Sequence, residues 1–281
     1  MAALLTSVLD NSDKVSGYIG ECRECGIALL PPDINRSADR FTVEEGGIRF
    51  GLVAIKNIGR GFIQAVMRER ETGGDFTSLY DFCSRMNGSE MNKRAVENLI
   101  RSGAFDSMGA RRSQLIKVYE SVMDSVAAQQ RDNVEGQMDF FSMAADNDEK
   151  LNSVKEIPLP DIPEYTPEEL MTMEKATTGL YLSGHPMDHY RDAVQKLRAP
   201  TIVSILEDFA REGGPERFAD GQRVTIAGVI TSSKTKTTKN NSLMAYVMVE
   251  DDTASMELLC FSRVLETCGA YMKENQAVVV K

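Results

Sequence analysis

Four residues, Ile58-Gly59-Arg60-Gly61, join two apolar helical stretches, and their types suit one kind of chemistry, the holding of a phosphate. Glycines let a backbone turn tightly and let a ligand come close. The unpaired N–H groups in the first turn of the following helix carry partial positive charge and suit an anion. Lys56, Asn57 and Arg60 stand beside the turn. A second unit of the same kind follows. Lys93–Arg101 has helical spacing and carries Lys93 and Arg94, Ser102-Gly103-Ala104-Phe105-Asp106 turns, and a further helix is expected from Gly109 onward with Arg111 and Arg112 near its start.

Helix, glycine turn and helix make up the helix-hairpin-helix arrangement. Two copies on one face would grip a duplex through its backbone without reading its sequence. The charge distribution fits. The chain has 281 residues and net charge -10, which argues against coating nucleic acid everywhere. Yet residues 48–117 hold 12 basic and 7 acidic groups, net +5, and residues 118–175 hold 4 basic and 14 acidic, net -10.

The acidic stretch carries a different signal. Gln137-Met138-Asp139-Phe140-Phe141 puts two adjacent phenylalanines in a segment, 131–163, that has few aliphatics at helical spacing and holds Pro158, Pro160 and Pro163. Apolar groups on such a linker mark a docking peptide, with the Gln137 amide as anchor and Met138, Phe140 and Phe141 as pocket fillers.

Helices are expected over 2–9, 13–28, 51–70, 92–103 and 109–130, and again over 167–178 and 186–197. A short hairpin is expected where Phe41-Thr42-Val43 and Ile48-Arg49-Phe50 flank Glu44-Glu45-Gly46-Gly47. From Arg223 the pattern is β, with strands from Val224, at Leu243–Glu250, at Ser255–Phe261 and at Ala277–Val280. The loop Ser232–Ser242 between the first two carries Lys234, Lys236 and Lys239, a composition suited to a five-strand oligonucleotide/oligosaccharide-binding (OB) barrel whose fifth strand is missing. Tyr246 and Phe261 are stacking candidates, although core packing is the first reading of each.

Several other chemistries are excluded or weak. Cys22-Arg23-Glu24-Cys25 has no second Cys or His pair at finger spacing, and a proline lies between His185 and His189 without a HExxH glutamate. No P-loop, GxSxG or paired-aspartate polymerase motif is present, and Asp251-Asp252 is expected in a turn. Five irregularly spaced cysteines indicate a reducing, cytoplasmic setting, and no apolar run is long enough to span a bilayer.

These motifs, in this order, resemble the alpha (catalytic) subunits of bacterial DNA polymerase III, the C family of replicative DNA-directed DNA polymerases. The resemblance covers essentially the whole chain. It rests on Leu29-Leu30-Pro31-Pro32-Asp33-Ile34-Asn35-Arg36-Ser37, on Gly51–Gly61, on Asn92–Asp106, on Gln137–Phe141 and on Gly179-Leu180-Tyr181-Leu182-Ser183-Gly184-His185-Pro186. It implies a multidomain, mainly α chain: the end of the fingers at 1–47, a tandem helix-hairpin-helix domain at 48–130, a linker with the sliding-clamp motif at 131–165, a helical connector at 166–200 and a truncated OB-fold at 201–281. In the clamp motif Gln137, Asp139 and Phe141 match, while Met138 and Phe140 replace two leucines. Duplex DNA, single-stranded template, the sliding clamp (beta subunit) and other replisome subunits are the implied partners, and no membrane. The family's catalytic aspartates, which hold Mg²⁺ for nucleotidyl transfer, are expected upstream of Met1. The piece is therefore expected to need no cofactor and to be inactive alone. The chain also reads as a fragment because it ends within a β-branched run, Val278-Val279-Val280. The competing reading is a stand-alone helix-hairpin-helix/OB adaptor of repair or recombination.

Overall fold

The computed structural model describes residues 1–8, 15, 18–19, 21–22, 25–88, 91–134, 157–238 and 240–281. They fall into two compact units, one bounded by 2–7 and 27–183, the other by 1, 8–26 and 184–281.

The first unit opens with helix α1 (Ala2–Ser7) and a small sheet of β1 (Ala28–Leu30), β2 (Thr42–Glu44) and β3 (Gly47–Arg49). The expected hairpin is β2–β3, antiparallel with Val43 opposite Ile48. It turns at Gly46, where φ is +96°. Arg49 reaches across to Glu44 at 2.8 Å. β1 adds to β3 in parallel, and a side chain at Gly47 would collide with the Ala28 carbonyl, so only glycine lets the two strands meet. Most of residues 9–24 lie outside the described residues, and the end of the helix expected over 13–28 is corrected: Cys25 and Gly26 turn, and Ala28 enters β1.

Helices follow: α2 (Arg60–Gly73), α3 (Leu79–Met86), α4 (Lys93–Arg101) and α5 (Arg112–Val134). The expectation of helix over 51–70 is corrected. Leu52–Ala54 is a single 3-10 turn, Asn57 takes a left-handed φ of 63°, and α2 begins only at Arg60. Side-chain caps fix two of the starts. Ser78 accepts the Asp81 N–H before α3, and Asn92 accepts the Ala95 N–H before α4. The core is aromatic. Phe82 packs edge to face with Phe62, Phe76 and Phe105 at centroid distances of 6.2, 5.0 and 5.1 Å, and all four are buried.

Residues 157–163, expected within the linker, lie against the start of α5. The Pro160 carbonyl accepts from the Gln114 amide at 2.8 Å, and the Ile162 carbonyl accepts from Arg111 at 2.7 Å. Helix α6 (Pro167–Thr178) then begins with a capping box of Thr166 and Glu169, Pro167 in its first turn, and stops at Gly179 with φ +81°.

In the second unit the expected helix over 186–197 divides into a 3-10 turn, Pro186–Tyr190, and α7 (Arg191–Leu197). His185 is buried, and its Nδ1 accepts the Met187 N–H at 3.1 Å, a structural cap. Next come α8 (Ile202–Phe209), which the sequence reading missed, β4 (Ile226–Thr237), β5 (Leu243–Glu250), β6 (Ser255–Phe261), α9 (Ser262–Cys268) and β7 (Ala277–Val280). The strands form one antiparallel sheet in the order β6-β5-β4-β7, with an irregularity in β4 between Ile230 and Ser232. This is a partial OB-fold. Its core holds Ile202, Ile230, Ala245, Val247 and Val249, with Leu258 and Leu265 packed against it. Asp251 closes the β5–β6 turn by accepting the N–H groups of Thr253 and Ala254. It also accepts the Ile202 N–H at the start of α8.

Candidate nucleic-acid interface

The first glycine turn is built as an open helix start. Gly59 is the N-cap of α2 and offers no side chain to cap it. The first bond within the helix runs from the Ile63 N–H to the Gly59 carbonyl at 3.1 Å, so the N–H groups of Arg60, Gly61 and Phe62 precede it. Phe62, Ile63 and Val66 are buried and anchor the inner face of α2, while Gly59, Arg60 and Gly61 are exposed. Neither Gly59 nor Gly61 has a left-handed φ; Asn57 makes the reversal, with Ile58 half-buried behind it. The two glycines thus leave the helix start bare and do not bend it. Positive partial charge, exposed amides and the Arg60 guanidinium meet there, an arrangement able to hold one phosphate.

Lys56 stands at the other side of this turn and is engaged within the fold. Its N–H donates to the Thr177 carbonyl at 2.8 Å, and its ammonium donates to the Ala176 carbonyl at 3.0 Å. Its carbonyl accepts the Asn98 amide at 2.6 Å.

The second hairpin differs from expectation. Its final helix starts at Arg112, after a 3-10 turn at Asp106–Met108, and its start is already occupied. The Glu164 carboxylate accepts the N–H groups of Arg112 at 2.7 Å and Ser113 at 2.9 Å. Burial pushes the Glu164 carboxyl up, but the N–H groups of Ser113, Tyr165 and Arg112 outweigh this and hold it below the usual carboxylate range.

Arg112, expected beside a phosphate, is buried. Its side chain is 6% exposed and pairs with Asp106 at 2.7 Å and with Glu174, itself 1% exposed, at 3.0 Å. Burial pushes its pKa down, and the two carboxylates outweigh that. Ser102 and Gly103 are buried too. Gly103 has φ +84°, and a side chain there would strike the Arg112 guanidinium, so this glycine is structural. Arg111 is exposed but donates to Ile162, and Lys93 pairs with Asp124 at 3.0 Å. Arg94 is exposed on the first turn of α4. One hairpin is thus open, and the other is closed by the chain itself.

Lys234 and Lys236 lie on β4, which continues to Thr237, and not in a loop. Lys234 is opposite Tyr246, which is opposite Leu259; Lys236 is opposite Met244, which is opposite Phe261. Directly opposed residues point to the same face. It is the face away from Ala245, Val247 and Val249, and it exposes Phe261 (60%) and Leu259 (51%). Lys239 and the whole clamp-motif expectation, Gln137, Met138, Asp139, Phe140 and Phe141, lie outside the described residues. Among the described residues no group of three or more His, Cys, Asp or Glu is placed to hold a metal ion, and no helix is long and apolar enough to cross a membrane. The sequence reading missed Asn98, Glu164, Glu174 and Thr177. The helix expected over 167–178 is α6, but nothing in its sequence tied it to the glycine turn or to Arg112.

A family model described as a helix-hairpin-helix motif matches residues 26–115. Proteins named DNA polymerase III subunit alpha are similar over the chain. That of Vibrio cholerae is 32% identical over 281 residues and that of Saccharopolyspora erythraea 36% over 286, each covering 100% of this chain. That of Deinococcus radiodurans is 37% identical over 269 residues, 95% of the chain. The chain spans 23% of the length of the first two relatives and 19% of the third.

Proposed function

Because the chain is homologous along its whole length to a segment of DNA polymerase III subunit alpha, we propose that it is the product-holding part of a replicative DNA polymerase. In this reading it grips duplex DNA through the open start of α2, with Gly59, Arg60 and Gly61 against one backbone phosphate and Arg94 adding charge. The observation that carries the reading is that uncapped, exposed helix start, which lies inside the helix-hairpin-helix match. The Lys234–Tyr246 face takes single-stranded template, and Gln137–Phe141 docks on the sliding clamp. Clamp docking adds a second attachment and raises the effective concentration of duplex at the hairpin. No step of nucleotidyl transfer is assigned to residues of this chain. A free-standing repair adaptor accounts less well for similarity to polymerase subunits that extends from end to end of the chain.

The test is fluorescence anisotropy of the chain with labelled duplexes of unrelated sequence over a series of salt concentrations. Affinities should be alike and fall steeply with salt, and Arg60→Gln should reduce the slope of log affinity against log salt by about 0.9, the value of one phosphate contact. Sequence-selective or salt-insensitive binding would overturn duplex gripping. For the clamp, replacing Phe140 and Phe141 by Ala should abolish binding to a purified sliding clamp; undiminished binding removes the motif.

A further inference from the structure

We infer that Lys56, Asn98 and the C-terminal end of α6 form a brace that sets the phosphate-holding turn, with Lys56 and Asn98 as positioning residues; this rests on the duplex-gripping reading above. The turn itself has little to hold it. Between buried Ile55 and the start of α2 lie four residues, Lys56 to Gly59, of which only Ile58 is even half-buried, and one of them, Asn57, has a left-handed backbone. A helix start can present its amides to a phosphate only if the chain entering it is fixed.

Lys56 is fixed on both sides of its peptide units. Its carbonyl takes the amide of Asn98, which is 7% exposed on α4, and its N–H goes to Thr177, which is 3% exposed on α6. Asn98 is a buried amide spent on a backbone carbonyl 42 residues away. Thr177 and Ala176 lie in the last turn of α6, where carbonyls lack partners in the helix and the dipole is negative. The Lys56 ammonium sits on that end. Its charge therefore stabilises the junction with α6 and is not aimed at the start of α2. The matched helix-hairpin-helix region ends at residue 115, so α6 supplies a part of the turn that the motif alone lacks.

The two roles for Lys56 are separable, because a phosphate contact contributes to the salt dependence and a positioning contact does not. The experiment uses the full chain, a labelled DNA duplex and anisotropy over a salt series, with amide hydrogen exchange at Lys56 read in parallel. Lys56→Gln and Asn98→Asp should each weaken duplex binding about tenfold. The salt slope should stay that of the parent, and the Lys56 amide should exchange faster in Asn98→Asp. A Lys56→Gln slope lower by about 0.9 would make Lys56 a phosphate contact and overturn the brace. Parent-like affinity in both variants would overturn it equally. If Asn98→Asp does not fold, Lys56→Gln alone decides, because its side chain is exposed. Failure of the duplex reading looks different: Arg60→Gln then leaves both affinity and slope unchanged, and no variant alters binding.

Discussion

The Glu164 carboxylate accepts the backbone N–H of Arg112 at 2.7 Å, at the helix start where a second DNA phosphate was expected. A carboxylate and a phosphate satisfy the same orphan amides, so the chain has met that demand internally. The tandem motif therefore offers one open helix start, that of α2, and the other has become a joint between α5 and the segment leading to α6. Arg112 completes the joint by turning inward to Asp106 and Glu174.

Glu164→Gln should keep the shape of this joint and lose its charge. Stability should fall by about 1 kcal/mol at neutral pH, the usual scale of a lost helix cap. The pH dependence follows from the sign of the shift. The folded carboxyl lies below its ordinary value, so its contribution is present above the unfolded pKa of about 4.3 and is lost as pH falls through the lower folded value. Urea unfolding of parent and variant from pH 7 down to pH 3 should therefore converge at the acid end. A constant difference would mean that the charge has no part in it.

Arg112 and Glu174 call for a double-mutant cycle. Removing one member of a buried pair strands the other, at a cost of about 3–5 kcal/mol, while replacing both with apolar groups is far milder. Arg112→Met and Glu174→Met should each destabilise the first unit strongly, and the double variant should lose less than either single one. Additive losses would show that the two side chains do not depend on each other. Glu174 also accepts the N–H groups of Leu182 and Ser183, at 3.0 and 2.9 Å, so the double variant should still be less stable than the parent.

These relationships explain what was legible in the sequence. Lys93–Arg101 and Pro167–Thr178 declare themselves by apolar spacing, and the pattern after Arg223 gives β5, β6 and β7 to the residue but ends β4 six residues short of Thr237. The misses have two causes. β1 has three residues, too short for a period to emerge, while α3 and α8 hold the helical period in full, at Leu79, Phe82, Cys83 and Met86 and at Ile202, Ile205, Leu206 and Phe209, but only over the two turns between neighbouring loops. The charged residues mislead for another reason. Arg112 and Glu174 are 62 residues apart, and nothing in either neighbourhood announces that each neutralises the other. Taken alone, each reads as surface. Lys56 likewise gives no sign in its own neighbourhood that its N–H and ammonium reach the end of α6, 120 residues on.

Gly103→Ala tests the second turn directly. Its φ of +84° is costly for any side chain, and the added methyl would meet the Arg112 guanidinium. The variant should lose well over 1 kcal/mol, more than backbone strain alone, because it also displaces Arg112 from Asp106. Thermal unfolding measures this. Asn57→Gly, at a left-handed position with an exposed side chain, is the contrast and should be nearly neutral. Equal losses in the two variants would mean that the guanidinium does not constrain Gly103.

The sheet of the second unit carries the last prediction. Across β4, β5 and β6 the rows Lys234–Tyr246–Leu259 and Lys236–Met244–Phe261 place two cations beside two aromatic rings on one face. Bases stack on aromatic side chains at about 1–3 kcal/mol each, whatever their identity, while the cations follow the backbone. The two contributions separate by salt. Tyr246→Ala should weaken oligo-thymidine binding at least about fivefold with the salt slope unchanged, since it removes a stacking surface and no charge. Replacing Lys234 and Lys236 together by Gln should lower the slope by about 1.4, at about 0.7 for each single-strand phosphate. The buried side of the sheet, Ala245, Val247 and Val249, is untouched by either change, so the fold should hold in both. Duplex affinity should stay at the parent value in the same variants, because the duplex is assigned to the open start of α2. If Tyr246→Ala binds oligo-thymidine as the parent does, the aromatic row is not a stacking surface and the lysines alone remain to be explained.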